Sequence, residues 1–150
     1  MEKDMIDAPP QSSTPKRVEP TQKERESLDA LQAERKRRKP APSLKLKDGP
    51  EDDGRPHIVA AHDDVNLGHN LIMAAIGALD DDFYSGFLSQ ITNATAFNNK
   101  ADAIGMNFVL SVVKGIEPRD QMEAMLAAHM AAVHMAAMTY SRKLGCTTSP

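Results

Sequence analysis

The sequence predicts an all-α protein: a small antiparallel bundle of about four helices, the last one long, preceded by a disordered N-terminal arm. Three observations lead there. Residues 1–56 hold eight of the ten prolines and none of the six Phe or Tyr residues. The apolar residues after position 57 recur mainly at spacings of three and four, the helical period. The run from Arg119 to Leu144 contains no Gly or Pro and is dominated by Ala, Leu and Met, residues of high helix propensity.

Residues 1–56 carry 13 Lys/Arg and 12 Asp/Glu against 5 and 9 in residues 57–150, local net charges of +1 and −4 within the overall −3. A segment dense in charge and proline, with few large apolar groups, buries too little surface to offset its ordering entropy. Residues 1–56 are therefore expected to form the disordered arm. Within it, Thr21 and Glu24 have capping-box spacing, and residues 22–39 are rich in helix formers. Only Leu28 and Leu31 offer sizeable apolar contact, which predicts a transient helix ended by Pro40.

The helical domain is expected over residues 57–145, with 146–150 as a tail. Its first helix is expected near 64–79, capped by Asp63 or Asp64, with Val65, Ile72, Ile76 and Leu79 on its apolar face. The second follows near 82–96, where Asp80, Asp81 and Asp82 precede a stripe of Phe83, Phe87, Leu88, Ile91 and Ala94. The third is expected near 100–114, with Asn99 as cap, Asp102 in its first turn, Ile104, Phe108 and Val112 flanked by Val109 and Val113 as its face, and Gly115 as its stop. The fourth is expected near 118–144, with Pro118 in its first turn, and would run about 40 Å at 1.5 Å per residue.

On that last helix Met122, Leu126, His129, Val133, Ala136 and Tyr140 form a heptad seam. A second seam, Ala127, Ala131, His134 and Met138, runs beside it, and its small residues allow close approach of another helix. No formal charge occurs from Ala124 to Ser141, so apolar groups cover most of the circumference. Such a helix is normally buried. The domain is too short to wrap it, which points to cover by another copy of the chain or a different protein. His134, Met135, Met138, Tyr140 and Leu144 are the expected partner-binding residues. The expected function is that of a non-enzymatic helical interaction or oligomerisation module, with no cofactor.

Two other readings draw on different residues. Arg35, Lys36, Arg37, Arg38, Lys39, Lys45 and Lys47 form a block without acids that could grip nucleic-acid phosphates, although no aromatic residue interleaves to stack bases. Met130, His134 and Met138 stand four apart and are weak candidates for a soft metal such as Cu(I), with Met125 and His129 as a shorter pair. His129 and His134 are five apart, which breaks the zinc-helix spacing.

Several classes are set aside. The Asp clusters are accounted for by helix capping, and Asp80, Asp82, Tyr84 and Ser85 fail the calcium-loop pattern. No phosphate loop, nucleophile elbow or Cys/His zinc spacing occurs. The single Cys146 has no second thiol to pair with and reads as a free surface thiol. The acidic start does not resemble a signal peptide, so the expected compartment is the cytoplasm, where Asn93-Ala94-Thr95 escapes glycosylation. Ala dominates the uncharged run, which also holds His129, His134 and Tyr140, against a membrane span.

Over residues 106–144, in the phrase Val113-Lys114-Gly115-Ile116-Glu117-Pro118-Arg119-Asp120-Gln121 and the Met-Leu-Ala-Ala stretch after it, the chain resembles a group of uncharacterised bacterial proteins. No activity attaches to that resemblance. The group has Gln where this chain has His129, which weakens the metal reading. It also tends to continue past the long helix into a further helical stretch and a polar tail, so a shortened product would lack the element that covers the end of that helix.

Overall fold

The computed structural model describes residues 19–47, 57–96, 98 and 100–147. They form five helices and a two-stranded antiparallel ribbon, so the protein is mostly helical but is not a simple four-helix bundle. The chain divides into two compact units, residues 1–37 and 38–150. The first contains helix α1, Gln22–Arg37. Thr21 and Glu24 close the capping box there, the Thr21 amide donating to Glu24 Oε2 at 2.7 Å and the Glu24 amide to Thr21 Oγ1 at 3.4 Å. No residue of α1 is buried.

The second unit begins inside the segment expected to be a disordered arm, and this corrects the boundary at position 57. Strand β1, Leu44–Lys47, pairs antiparallel with β2, His57–Ala60, in the register Leu44↔Ala60 to Lys47↔His57. Leu44 is buried in the core beside Ala60. Its backbone is held by one side chain: the Leu44 amide donates to Asn107 Oδ1 and Asn107 Nδ2 donates to the Leu44 carbonyl, both at 2.7 Å. A single leucine and one amide side chain thus anchor a strand that average composition argued against. The expectation of disorder for residues 1–18 and 48–56 lies outside the described residues.

Helix α2, Val65–Ala75, is capped by Asp64, whose carboxylate accepts the Leu67 amide at 3.0 Å. It stops four residues before the expected end because Gly77 takes φ +67°, a left-handed conformation that suits glycine. Leu79 is consequently outside the helix and fully exposed, and Val65 is also exposed; the core face is Ile72, Ala75 and Ile76. Helix α3, Asp81–Thr95, is capped by Asp80, which accepts the Phe83 amide at 2.7 Å. That bond, followed by one from Gln121, holds the Asp80 carboxyl below its ordinary range. Tyr84, Phe87, Leu88 and Ile91 are buried.

Helix α4, Ala103–Ile116, starts later than expected because Asp102 is its cap, accepting the Ile104 amide at 2.9 Å; Asn99 lies outside the described residues. Its core face is Met106, Val109, Leu110 and Val113, with Val112 packed at its edge, whereas Ile104 and Phe108 are exposed. Gly115 does not stop it. The turn is made by Glu117, a left-handed residue at φ 53°. Pro118 is fully buried and precedes the last helix instead of opening it. Helix α5, Gln121–Thr147, begins where Asp120 accepts the Glu123 amide at 2.9 Å. Its 27 residues span about 40 Å, against 11, 15 and 14 residues in α2, α3 and α4.

If residues 44–47 belong to the folded unit, Leu44→Ala leaves a cavity against Ala60 and costs about 2–5 kcal/mol of stability. Urea unfolding measures this. A loss within about 0.5 kcal/mol, the usual range for an exposed position, would show that β1 is not part of the core.

Candidate functional site

The long helix is seated by its smallest residues. Ala124, Ala127 and Ala131 are at most 3% exposed and pack in the core, with Ala128 and Met135 partly buried at its edge. Methyl side chains let α5 lie close to α3 and α4. Gly105 on α4 serves the same approach: a Cβ there would stand 3.0 Å from Thr95 Cβ and 3.1 Å from the Met135 terminal methyl. The start of α5 is tied to the start of α3 through Gln121 Nε2, which donates to Asp80 Oδ2 at 2.9 Å.

At 3.6 residues per turn, a helix buried on Ala124, Ala127 and Ala131 turns Met122, Leu126, His129, Val133 and Tyr140 roughly to the opposite side. They are exposed, Met122 at 65%, Leu126 at 63% and Val133 at 55%. The heptad seam therefore faces away from the core, and the neighbouring Ala127 and Ala131 seam does the internal packing. Met125, Met130 and Leu144 extend the outward apolar face. Beyond Met135, every residue from 136 to 146 is exposed. Of the expected partner-binding residues, His134, Met138, Tyr140 and Leu144 are exposed and Met135 is half-buried against the core. The exposed face also reaches back to Met122, the start of the heptad seam and well before the expected partner-binding residues.

Two neighbouring features widen this surface. Ile104 and Phe108 of α4, expected in the core, are exposed beside α5, with the Phe108 and His134 rings 6.2 Å apart. Between α3 and α5 lies an apolar cleft of about 160 Å³ lined by Phe87, Gln90, Ile91, Met125, His129 and Ala132, among others. The helical period alone could not reveal the cleft, because it depends on which helices are adjacent.

The basic block is distributed over both units. Arg35, Lys36 and Arg37 fall in the last turn of α1, where Arg37 pairs with Glu34 at 2.9 Å. Arg38 and Lys39 open the second unit, and Lys39 Nζ donates to the Ala74 carbonyl at 3.3 Å, at the C-terminal end of α2. Lys45 and Lys47 are exposed on β1. Lys114, half-buried with its ammonium pK lowered by desolvation, reaches the Ala41 carbonyl at 3.5 Å. Part of this positive charge is thus engaged in holding the fold.

Among the metal candidates, Met130 and Met138 are exposed and the His134 ring lies against Phe108. Among the described residues no group of three or more His, Cys, Asp or Glu is placed to hold a metal ion. Sequence reasoning missed one polar pair: His69 Nε2 lies 2.9 Å from Asp81 Oδ1, and the His69 ring lies 4.1 Å from the Tyr84 ring. Burial raises the Tyr84 phenol pK. The pair clips α2 to α3, and its twelve-residue separation carries no local signal.

No protein-family model, curated protein or solved structure matches the chain. No helix among the described residues is long and apolar enough to cross a membrane.

The two sides of α5 should respond oppositely to substitution. Ala127→Leu is expected to cost about 1–3 kcal/mol by overpacking. Leu126→Gln should change the stability of the isolated chain by no more than about 0.5 kcal/mol. Thermal unfolding at sub-micromolar concentration checks both, and equal losses would contradict the assigned faces.

Proposed function

We propose that the protein is a non-enzymatic helical interaction module that self-associates through the outward face of α5. The observation that carries this reading is the seven large apolar side chains exposed on that face, from Met122 to Leu144. Isolated exposed apolar residues are ordinary on protein surfaces. A row of them at heptad spacing along a helix of about 40 Å is the pattern of helix–helix association. Covering a large apolar side chain completely is worth about 1.5–3 kcal/mol, and these are partly covered already. Several such residues from each of two chains supply energy comparable to the roughly 4–15 kcal/mol lost in association.

The polar groups support the same reading. Asp64, Asp80, Asp102 and Asp120 each accept a backbone amide at the start of a helix, so these carboxylates have structural employment. Met-rich surfaces adapt readily to an apolar partner. Contact of the basic block with nucleic acid remains the second reading, favoured by exposed Lys45 and Lys47 on one strand.

Sedimentation equilibrium between about 1 and 100 µM tests the proposal. The native chain is expected to associate as concentration rises, and Val133→Glu to stay monomeric with unchanged helical circular dichroism, because a charge there would be desolvated in the contact. A native chain that stays monomeric throughout, or a Val133→Glu variant that associates equally well, overturns it.

A further inference from the structure

Resting on that reading, we propose that the partner seated on the outward face of α5 is a second copy of the same helix, lying antiparallel to the first and centred near Val133. A two-fold contact requires a patch that complements itself when reversed. The exposed row does so. Turned end for end about Val133, it sets Met122 opposite Leu144, Leu126 opposite Tyr140, and Val133 opposite itself, with His129 facing Ala137 beside the row. Large side chains meet near both ends, and the bulkier His129 meets a methyl side chain.

Charge distinguishes the two possible directions. Glu117, Arg119, Asp120 and Glu123 give the beginning of α5 and the turn before it a net charge of −2, Arg142 and Lys143 give its end +2, and no formal charge lies between Glu123 and Arg142. Packed helices are about 8–10 Å apart, close to the screening length of physiological salt, so these end charges are felt across the contact. An antiparallel pair brings acidic beginnings beside basic ends and opposes the helix dipoles favourably. A parallel pair sets like charges together at both ends.

The uneven burial of α5 selects the same direction. Its first half is backed by the core through Ala124, Ala127 and Ala131, whereas each of residues 136–146 is exposed. Antiparallel pairing lays each bare end alongside the other copy's core-backed half. Parallel pairing would bring the two bare ends together and leave both without support from either core. The alanine side of α5 is already occupied, so the second helix approaches from the side of Met122, Leu126 and Val133.

The single native Cys146 is exposed and gives a direct test. Nitroxide labels are placed on Cys146 of the full chain and, separately, on Ser141→Cys in a Cys146→Ser background, and pulsed dipolar spectroscopy is recorded at a concentration where the chain is associated. At 1.5 Å of rise per residue, antiparallel pairing about Val133 predicts separations of about 40 Å at Cys146 and about 25–30 Å at position 141. A parallel pair predicts short and nearly equal separations. Any dimer in which the Cys146 separation does not exceed that at position 141 by roughly 10 Å overturns the antiparallel arrangement and leaves the self-association reading standing. A chain that is monomeric at about 100 µM, with no intermolecular coupling, overturns both.

Discussion

The seating of α5 on Ala124, Ala127 and Ala131 is the constraint on which the rest of the molecule depends. Helices approach closely only where side chains are small, and a helix that spends its small residues inward must carry its large ones elsewhere. Here the period of 3.6 residues sends Met122, Leu126, Val133 and Tyr140 to the far side. The core obtains its bulk instead from Ile72, Ile76, Phe87, Met106, Val109 and Leu110 on the shorter helices. The domain is complete as a small core, and the apolar surplus of the chain lies on its outside.

The polar contacts that fix α5 lie at its beginning. Asp120 caps it, Gln121 binds the cap residue of α3, and buried Pro118 anchors the turn before it. The last core neighbour is Met135, beside the α4 backbone at Gly105. Eleven exposed residues follow, of which Met138 and Thr139 border α4 at Ile104 and Phe108. High intrinsic propensity supports their helicity, yet isolated helical segments this short are marginal in water. A neighbouring helix would supply the missing contacts.

Local signals in the sequence were read well where the physics is local. Asp64 and Asp80 cap α2 and α3, and Thr21 with Glu24 starts α1, because each of these bonds spans three residues. Periodicity also revealed a continuous last helix and its heptad row. It could not say which of two parallel rows would face the core: the bulkier row was no more inward than the alanine row, and close packing decided for alanine. The same ambiguity misplaced Ile104 and Phe108, since two adjacent apolar stripes on α4 competed for one core. The Leu44–Lys47 strand was missed because its anchors, Ala60 and Asn107, lie far along the chain. Gly115 was a poor stop because Glu117 could take the left-handed turn itself.

The outward side of α5 is one long apolar row, flanked by a cleft and ending in an exposed tip. Amide hydrogen exchange of residues 136–144, followed as the protein is concentrated from about 1 to 100 µM, tests its role most directly. Exchange that slows with concentration in this segment, while the already buried amides of α4 keep their rates or slow no more, is the result expected of a helix end that gains its cover from another copy. Exchange of residues 136–144 that is identical at both concentrations would contradict it.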